Sequence, residues 1–230
     1  MIKRRSLVVL VVIFLSAWGI SWLFSDQASP LFKPIEHYEL AGDLHFLQAE
    51  EVDQVLSHYY GVSFWQVELD VIQSELVRLE WVSQAVVKRH WPNRLYIEVV
   101  EQVPVARWGD TGLINQMGEL FFPKEHNEFA HLILLEGERE DAHKVLSALT
   151  LFQKTLNPIE FTISSLKHQL DGGWRITLAN GSKIILGSKA SGHKLETFVS
   201  AYPQLVKSLR KSAQVYDLRY SNGFIVGKVQ

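Results

Sequence analysis

The chain has no cysteine among its 230 residues, so a disulfide framework, a thiolate metal site and a thiol nucleophile are all excluded. No two glycines stand at G-x-G spacing and no Walker-type G-x-x-x-x-G-K-S/T run occurs, which removes both glycine-built phosphate cradles. The nine histidines are scattered and none forms H-E-x-x-H, the pattern that sets two zinc ligands on one helix face. No acidic residue precedes Asp26, and Leu7 to Phe24 carries no charge at all. At about 1.5 Å per residue that run spans roughly 27 Å, enough for the hydrocarbon core of a bilayer. Lys3, Arg4 and Arg5 come before it, so the positive-inside rule puts the N-terminus in the cytoplasm, with Trp18 and Trp22 toward the outer interface. The run is longer than a signal-peptide core and lacks a small-x-small cleavage site after it. The sequence therefore predicts an uncleaved anchor: residues 1–6 cytoplasmic, 7–24 transmembrane, and 25–34 a tether containing Ser29-Pro30 and Lys33-Pro34.

What is present beyond the tether is an ordinary globular composition. All 25 acids lie beyond the membrane span, against 20 of the 23 Lys and Arg, and a net negative charge disfavours nucleic acid as a partner. The length suits two small domains. In the first, residues 35–104, a strand from Ile35 to Ala41 ends in the Gly42-Asp43 turn pair. Val52, Val55, Leu56 and Tyr59 repeat at helical spacing before Gly61, with Gln48 as a weak N-cap. A second helix is predicted from an Asp70 N-cap, with Ile72, Leu76 and Leu79 on one face. Two β-rich stretches, Trp81 to His90 and Arg94 to Val100, flank Trp91-Pro92-Asn93 and read as a hairpin. The order predicts an α+β unit with both helices on one face of a three-stranded sheet.

Residues 105–230 read as a mixed, mainly antiparallel β domain with two helices. Short strands are predicted at 105–108, 113–115, 120–122, 132–135, 161–169, 174–178 and 183–186. Asn180-Gly181 is the strongest hairpin signal, in a type I′ turn. One helix is expected over 141–156, facing inward at Val145, Leu149 and Phe152. The other carries Leu195, Phe198, Tyr202, Leu205 and Leu209, bent at Pro203. Closing strands are expected from Ala213 to Arg219 and Gly223 to Val229.

Signals of chemistry are thin. S-x-x-K occurs at Ser164/Lys167, Ser191/Lys194 and Ser208/Lys211, but no K-T-G or S-D-N accompanies it, and all three motifs belong to the serine mechanism. The acids at Glu50-Glu51 and Glu138 to Asp141 fall at predicted helix starts, where negative charge suits the dipole. No catalytic residue, metal site, cofactor or small-molecule substrate is expected. The end of the chain is more informative. Ala213 to Gln230 has no proline and little charge to blunt an edge, so a partner segment could add to it by β-augmentation. Tyr220 offers an aromatic anchor, Arg219 a charge contact, and Gly223 and Gly227 close approach.

Particular motifs sharpen this. Leu40-Ala-Gly-Asp43, the stretch Trp81-Val-Ser-Gln-Ala-Val-Val-Lys-Arg-His-Trp-Pro92, Leu95 to Val100 running into Glu101-Gln-Val-Pro-Val-Ala-Arg-Trp108, and Val215-Tyr-Asp-Leu-Arg-Tyr220 resemble FtsQ, the bacterial division-septum family called DivIB in Gram-positive bacteria. The resemblance implies a polypeptide-transport-associated (POTRA) domain, then the family's β domain. It implies a scaffold linking early and late division proteins at the septum, in the inner membrane with its domains in the periplasm. On that resemblance, FtsB and FtsL would bind at Arg219, Tyr220, Asn222, Gly223, Val226 and Gly227. Recruitment with other divisome proteins would fall on Gln84, Val87 and Arg89. Lys228 stands where many relatives have Trp, and Asp171-Gly172-Gly173 replaces a basic patch found in some. The competing reading is a POTRA chaperone of outer-membrane export, but neither POTRA repeats nor the alternating segments of a membrane barrel are visible.

Overall fold

A computed structural model describes residues 4–23, 33–189, 191–212 and 214–227. The chain divides into two units, Met1–Gln102 and Val103–Gln230. In the first, α1 (Arg4–Leu23) is a 20-residue helix, about 30 Å long. Its described side chains, 11–21, are all exposed. Over the described residues no helix is long and apolar enough to cross a membrane. Phe24, the last residue of the expected span, and tether residues 25–32 lie outside the described residues.

The globular part of this unit comprises β1 (His37–Ala41), α2 (Ala49–Leu56), α3 (Leu69–Leu76), β2 (Val82–His90) and β3 (Arg94–Glu101). The sheet order is β1-β3-β2, with β1 parallel and β2 antiparallel to β3. Alternation along β3 sends Leu95, Ile97 and Val99 into the core, where they join Val87 of β2, Val52 and Leu56 of α2, and Ile72 and Leu76 of α3. Val86 and Val100 stay exposed. Asp70 does not cap α3. Glu68 holds the N-cap position in extended conformation, and Asp70 falls in the first turn, where its charge still suits the helix dipole. At α2 the Gln48 amide donates to Glu51 Oε2 at 3.1 Å, which strengthens an otherwise poor cap. Glu101, at the end of β3, accepts from the backbone amides of His45, Phe46 and Leu47 at 3.0, 2.9 and 2.6 Å. These bonds tie the turn after β1 to the far end of the sheet.

The second unit is built on one nine-stranded sheet. Its strands are β4 (Pro104–Trp108), β5 (Gly112–Asn115), β6 (Leu120–Phe121), β7 (Leu134–Glu136), β8 (Ile163–His168), β9 (Trp174–Leu178), β10 (Lys183–Leu186), β11 (Val215–Asp217) and β12 (Ile225–Gly227). They are ordered β12-β11-β10-β9-β8-β7-β4-β5-β6. Pairs β4/β7, β7/β8 and β10/β11 are parallel and the others antiparallel. The helices α4 (Ala142–Leu156) and α5 (Ser191–Ala201) bury Val145, Phe152, Leu195 and Phe198 in the core with Trp174, Ile176, Leu166 and Tyr216.

Three expectations need correction. The last predicted helix is not one bent helix. It stops at Ala201, a 3-10 turn spans Tyr202–Gln204, and α6 (Lys207–Ser212) begins anew. Pro203 lacks an N–H and its ring obstructs the preceding turn, and Leu205 is extended, so the described residues of the domain form three α-helices. The Asn180-Gly181 turn does join β9 to β10, but only Gly181 has positive φ, at 83°. Gly181 N–H donates to Leu178 O and Leu178 N–H to Ser182 O, a three-residue turn with a glycine bulge rather than type I′. The strand expected over 132–135 is shorter and later, preceded by a 3-10 turn at Asn127–His131.

Candidate functional site: the terminal sheet edge

Strand β12 is the outermost of its sheet and, among the described residues, pairs only with β11, through Val215↔Gly227, Tyr216↔Val226 and Asp217↔Ile225. Residues 228–230, including Lys228, lie outside the described part, as does Ala213. Alternation divides this edge by face. Phe224 and Val226 lean on the core, Phe224 meeting the Phe198 ring edge-on at 5.1 Å, while Ile225 is half exposed.

The turn between the strands is anchored at its start. Tyr216 and Leu218 are buried, and the Tyr216 hydroxyl is pushed well above its ordinary range by burial and then by Tyr202, so it stays protonated. Arg219 grips Asp217 with Nε at 3.0 and 3.1 Å and Nη2 at 2.7 Å from the carboxylate oxygens. That contact holds the Asp217 carboxyl below the usual carboxylate range. A depressed pKa means the clasp contributes its full stability above the unfolded value and loses it as pH falls through the folded one. Arg219 is 60% exposed, so solvent screening keeps the contribution small. Lys194 of α5 donates its Nζ to the Arg219 carbonyl at 2.9 Å. Beyond the clasp, Tyr220 is 52% exposed, Asn222 is exposed, and Gly223 has φ +151°, where any side chain is strained. A Cβ added at Gly227 meets no atom within 4 Å. A shallow groove of about 230 Å³ runs here between His193, Lys194 and Phe198 of α5 and Tyr220, Asn222 and Phe224 of the turn.

The structure thus brings Arg219, Tyr220, Asn222, Gly223, Val226 and Gly227 onto one margin. Sequence reading missed Lys194, Phe224 and Ile225. The alternation of Phe224 and Val226 against Ile225 was the available signal for the last two, whereas nothing local marks Lys194, which is 25 residues away from the carbonyl it binds.

The three recruitment residues are not gathered in this way. Gln84 is exposed on β2, an edge of the first sheet, but Val87 is buried in the core. Arg89 spends its guanidinium on the carbonyls of Phe64, Trp65 and Val67 at 2.9, 3.3 and 2.7 Å. Arg89→Ala should therefore destabilise this domain by about 2 kcal/mol, since it strips charged donors from a folded loop, while Gln84→Ala leaves stability unchanged. Urea denaturation of the two variants checks this.

The S-x-x-K pair on β8 is used structurally. Ser164 donates to the Thr177 carbonyl and Lys167 reaches Glu136 at 3.1 Å. Among the described residues, no group of three His, Cys, Asp or Glu could hold a metal ion.

Comparison with known proteins agrees with this architecture. A family model for the FtsQ-type POTRA domain matches residues 33–102, and one for the C-terminal part of the cell division protein FtsQ/DivIB matches 106–219. The cell division protein FtsQ of Shewanella oneidensis is 33% identical over 204 residues, covering 89% of this chain and 77% of that protein. The chain belongs to the FtsQ/DivIB family. FtsQ of Coxiella burnetii is 33% identical over 182 residues, 79% of this chain and 74% of its own. FtsQ of Escherichia coli is 30% identical over 228 residues, 96% and 81% respectively. The FtsQ/DivIB model ends at Arg219, so the turn from Tyr220 and all of β12 lie beyond the matched segment.

Proposed function

We propose that this chain is a divisome scaffold, a binding protein rather than an enzyme, that holds the FtsB–FtsL pair by accepting a strand on the free edge of β12. The observation that carries this reading is the edge itself, a margin of backbone with one neighbour among the described residues, flanked by an exposed tyrosine and a shallow groove. Main-chain pairing would supply affinity and the groove specificity. Arg219 and Lys194 would present positive charge to an acidic group on the incoming segment. In the same reading the POTRA domain meets other divisome proteins, with Gln84 of the exposed β2 edge as its accessible contact.

The reading includes a single-pass anchor at residues 7–24, with the N-terminus in the cytoplasm and both domains in the periplasm at the division septum. The uncharged run and the bare apolar side chains of α1, among them Val12, Phe14, Leu15 and Trp18, support it, because such a helix surface is at home in lipid rather than in water. Confinement to the membrane raises the effective concentration of the domains for other anchored partners.

Gly227→Pro is the direct test. Proline removes an N–H from the edge strand. Co-purification of FtsB with the full chain should be lost in this variant while the circular dichroism spectrum is retained. Undiminished capture would rule out strand docking.

A further inference from the structure

Tryptophan rarely stays on a surface without use, since its large ring is more stable buried or at an interface that suits both its apolar body and its N–H. Trp65 and Trp91 are 46% and 48% exposed, yet they meet each other edge-on with centroids 5.0 Å apart. The buried Phe64 backs Trp91 at 5.4 Å. Arg89 rigidifies the pair from beneath, its three bonds to the carbonyls of residues 64, 65 and 67 fixing the loop that displays Trp65. Trp91 follows two residues later on the same hairpin.

The position of this pair matters as much as its exposure. The chain coming from α1 joins the domain at Lys33, and it is stitched into the two loops that carry the tryptophans. Phe64 N–H donates to Lys33 O, Ile35 N–H to Val62 O, and Glu36 N–H to Asn93 O, while Asn93 Nδ2 donates to Glu36 Oε2 at 2.6 Å. Only residues 24–32 separate Leu23, the last residue of α1, from Lys33, a reach of at most about 35 Å even fully extended. Lys33 is exposed at this junction and can meet a lipid phosphate.

We propose that Trp65 and Trp91 form a second membrane contact, seating the junction end of the POTRA domain in the headgroup region of the phospholipid bilayer in which the anchor reading places residues 7–24. Paired tryptophans prefer that depth, where ring and N–H are both satisfied. The inference rests on the anchor reading, because without α1 in the bilayer nothing brings the pair to a membrane. It fixes the tilt of the domain: the end of the sheet at His90 and Arg94 faces the lipid, and the opposite end, at Val82 and Glu101, points away.

The absence of native cysteine makes the test clean. The full chain is placed in phosphatidylcholine nanodiscs bearing a nitroxide lipid labelled near the headgroup or, for the site in α1, at the end of the acyl chain. A fluorophore is attached through Ser16→Cys in α1, Gln66→Cys beside the pair, or Arg78→Cys near the far end of the sheet. Quenching at Gln66 should exceed that at Arg78 about twofold or more, and it should fall to the Arg78 level when Trp65→Ser and Trp91→Ser are added. Trp65→Tyr with Trp91→Tyr should keep it. Trp65→Glu, which leaves Trp91 on Phe64, should lower it if the double serine variant does not fold. Strong quenching at Ser16 with none at Gln66, the result expected of a patch built for a protein partner, overturns the contact while leaving the anchor intact. Quenching at Gln66 that ignores the tryptophans also overturns it. No quenching at Ser16 overturns the anchor reading, and this inference with it.

Discussion

Replacing Tyr220 with alanine should weaken capture of the FtsB–FtsL pair by about 30-fold or more, the effect of losing an aromatic hot spot worth roughly 2 kcal/mol. The reason lies in what the tyrosine does in the free chain. With about half its surface exposed, it contributes little to the fold, so stability should change by less than about 0.5 kcal/mol. Titration calorimetry of the pair into the full chain, beside a urea denaturation curve, separates the two. Loss of binding without loss of stability assigns Tyr220 to the interface. Unchanged binding would move the contact elsewhere along the margin.

Phe198→Ala should have the largest effect on stability, about 3–5 kcal/mol for an aromatic ring removed from a closed core. Phe198 is fully buried, with Tyr216 at 5.0 Å, Tyr202 at 5.7 Å and Phe224 at 5.1 Å around it. It therefore joins α5, β11 and the segment leading into β12. Its loss should lower the urea midpoint of the β domain and also weaken partner capture, because the edge is held in place from below. Phe198 thus holds the edge from within, whereas Tyr220 is the proposed contact.

How much of this could be read in the sequence depended on how local each cause is. The first sheet was legible because strict alternation at Leu95, Ile97 and Val99 and the break at Trp91-Pro92-Asn93 are local signals, and the family motifs lie on the same residues. The terminal margin was also legible, since the residues from Arg219 to Gly227 are neighbours in the chain. What escaped was decided at a distance. Glu101 caps amides more than 50 positions earlier, and nothing local marks it. Arg89 resembles a free surface cation until the loop at 64–67 folds over it, and Val87 sits on the buried phase of β2, which a bulge between Val82 and Gln84 resets. At Pro203 the sequence predicts a bend, but the proline ends the helix. The turn at Asn180-Gly181 joins the expected strands through a different backbone path, because Asn180 keeps a negative φ that a type I′ turn does not allow.

Strand docking on β12 is tested most directly by amide hydrogen exchange of the full chain with and without the FtsB–FtsL pair. The sheet carries its own control, since β12 and β6 are its two edges. Binding should slow exchange by about 100-fold or more at those amides of residues 225–227 that face away from β11, as expected when an open edge becomes a paired one, and leave Leu120 and Phe121 unchanged. Saturated binding with residues 225–227 exchanging as in the free chain would contradict the proposal.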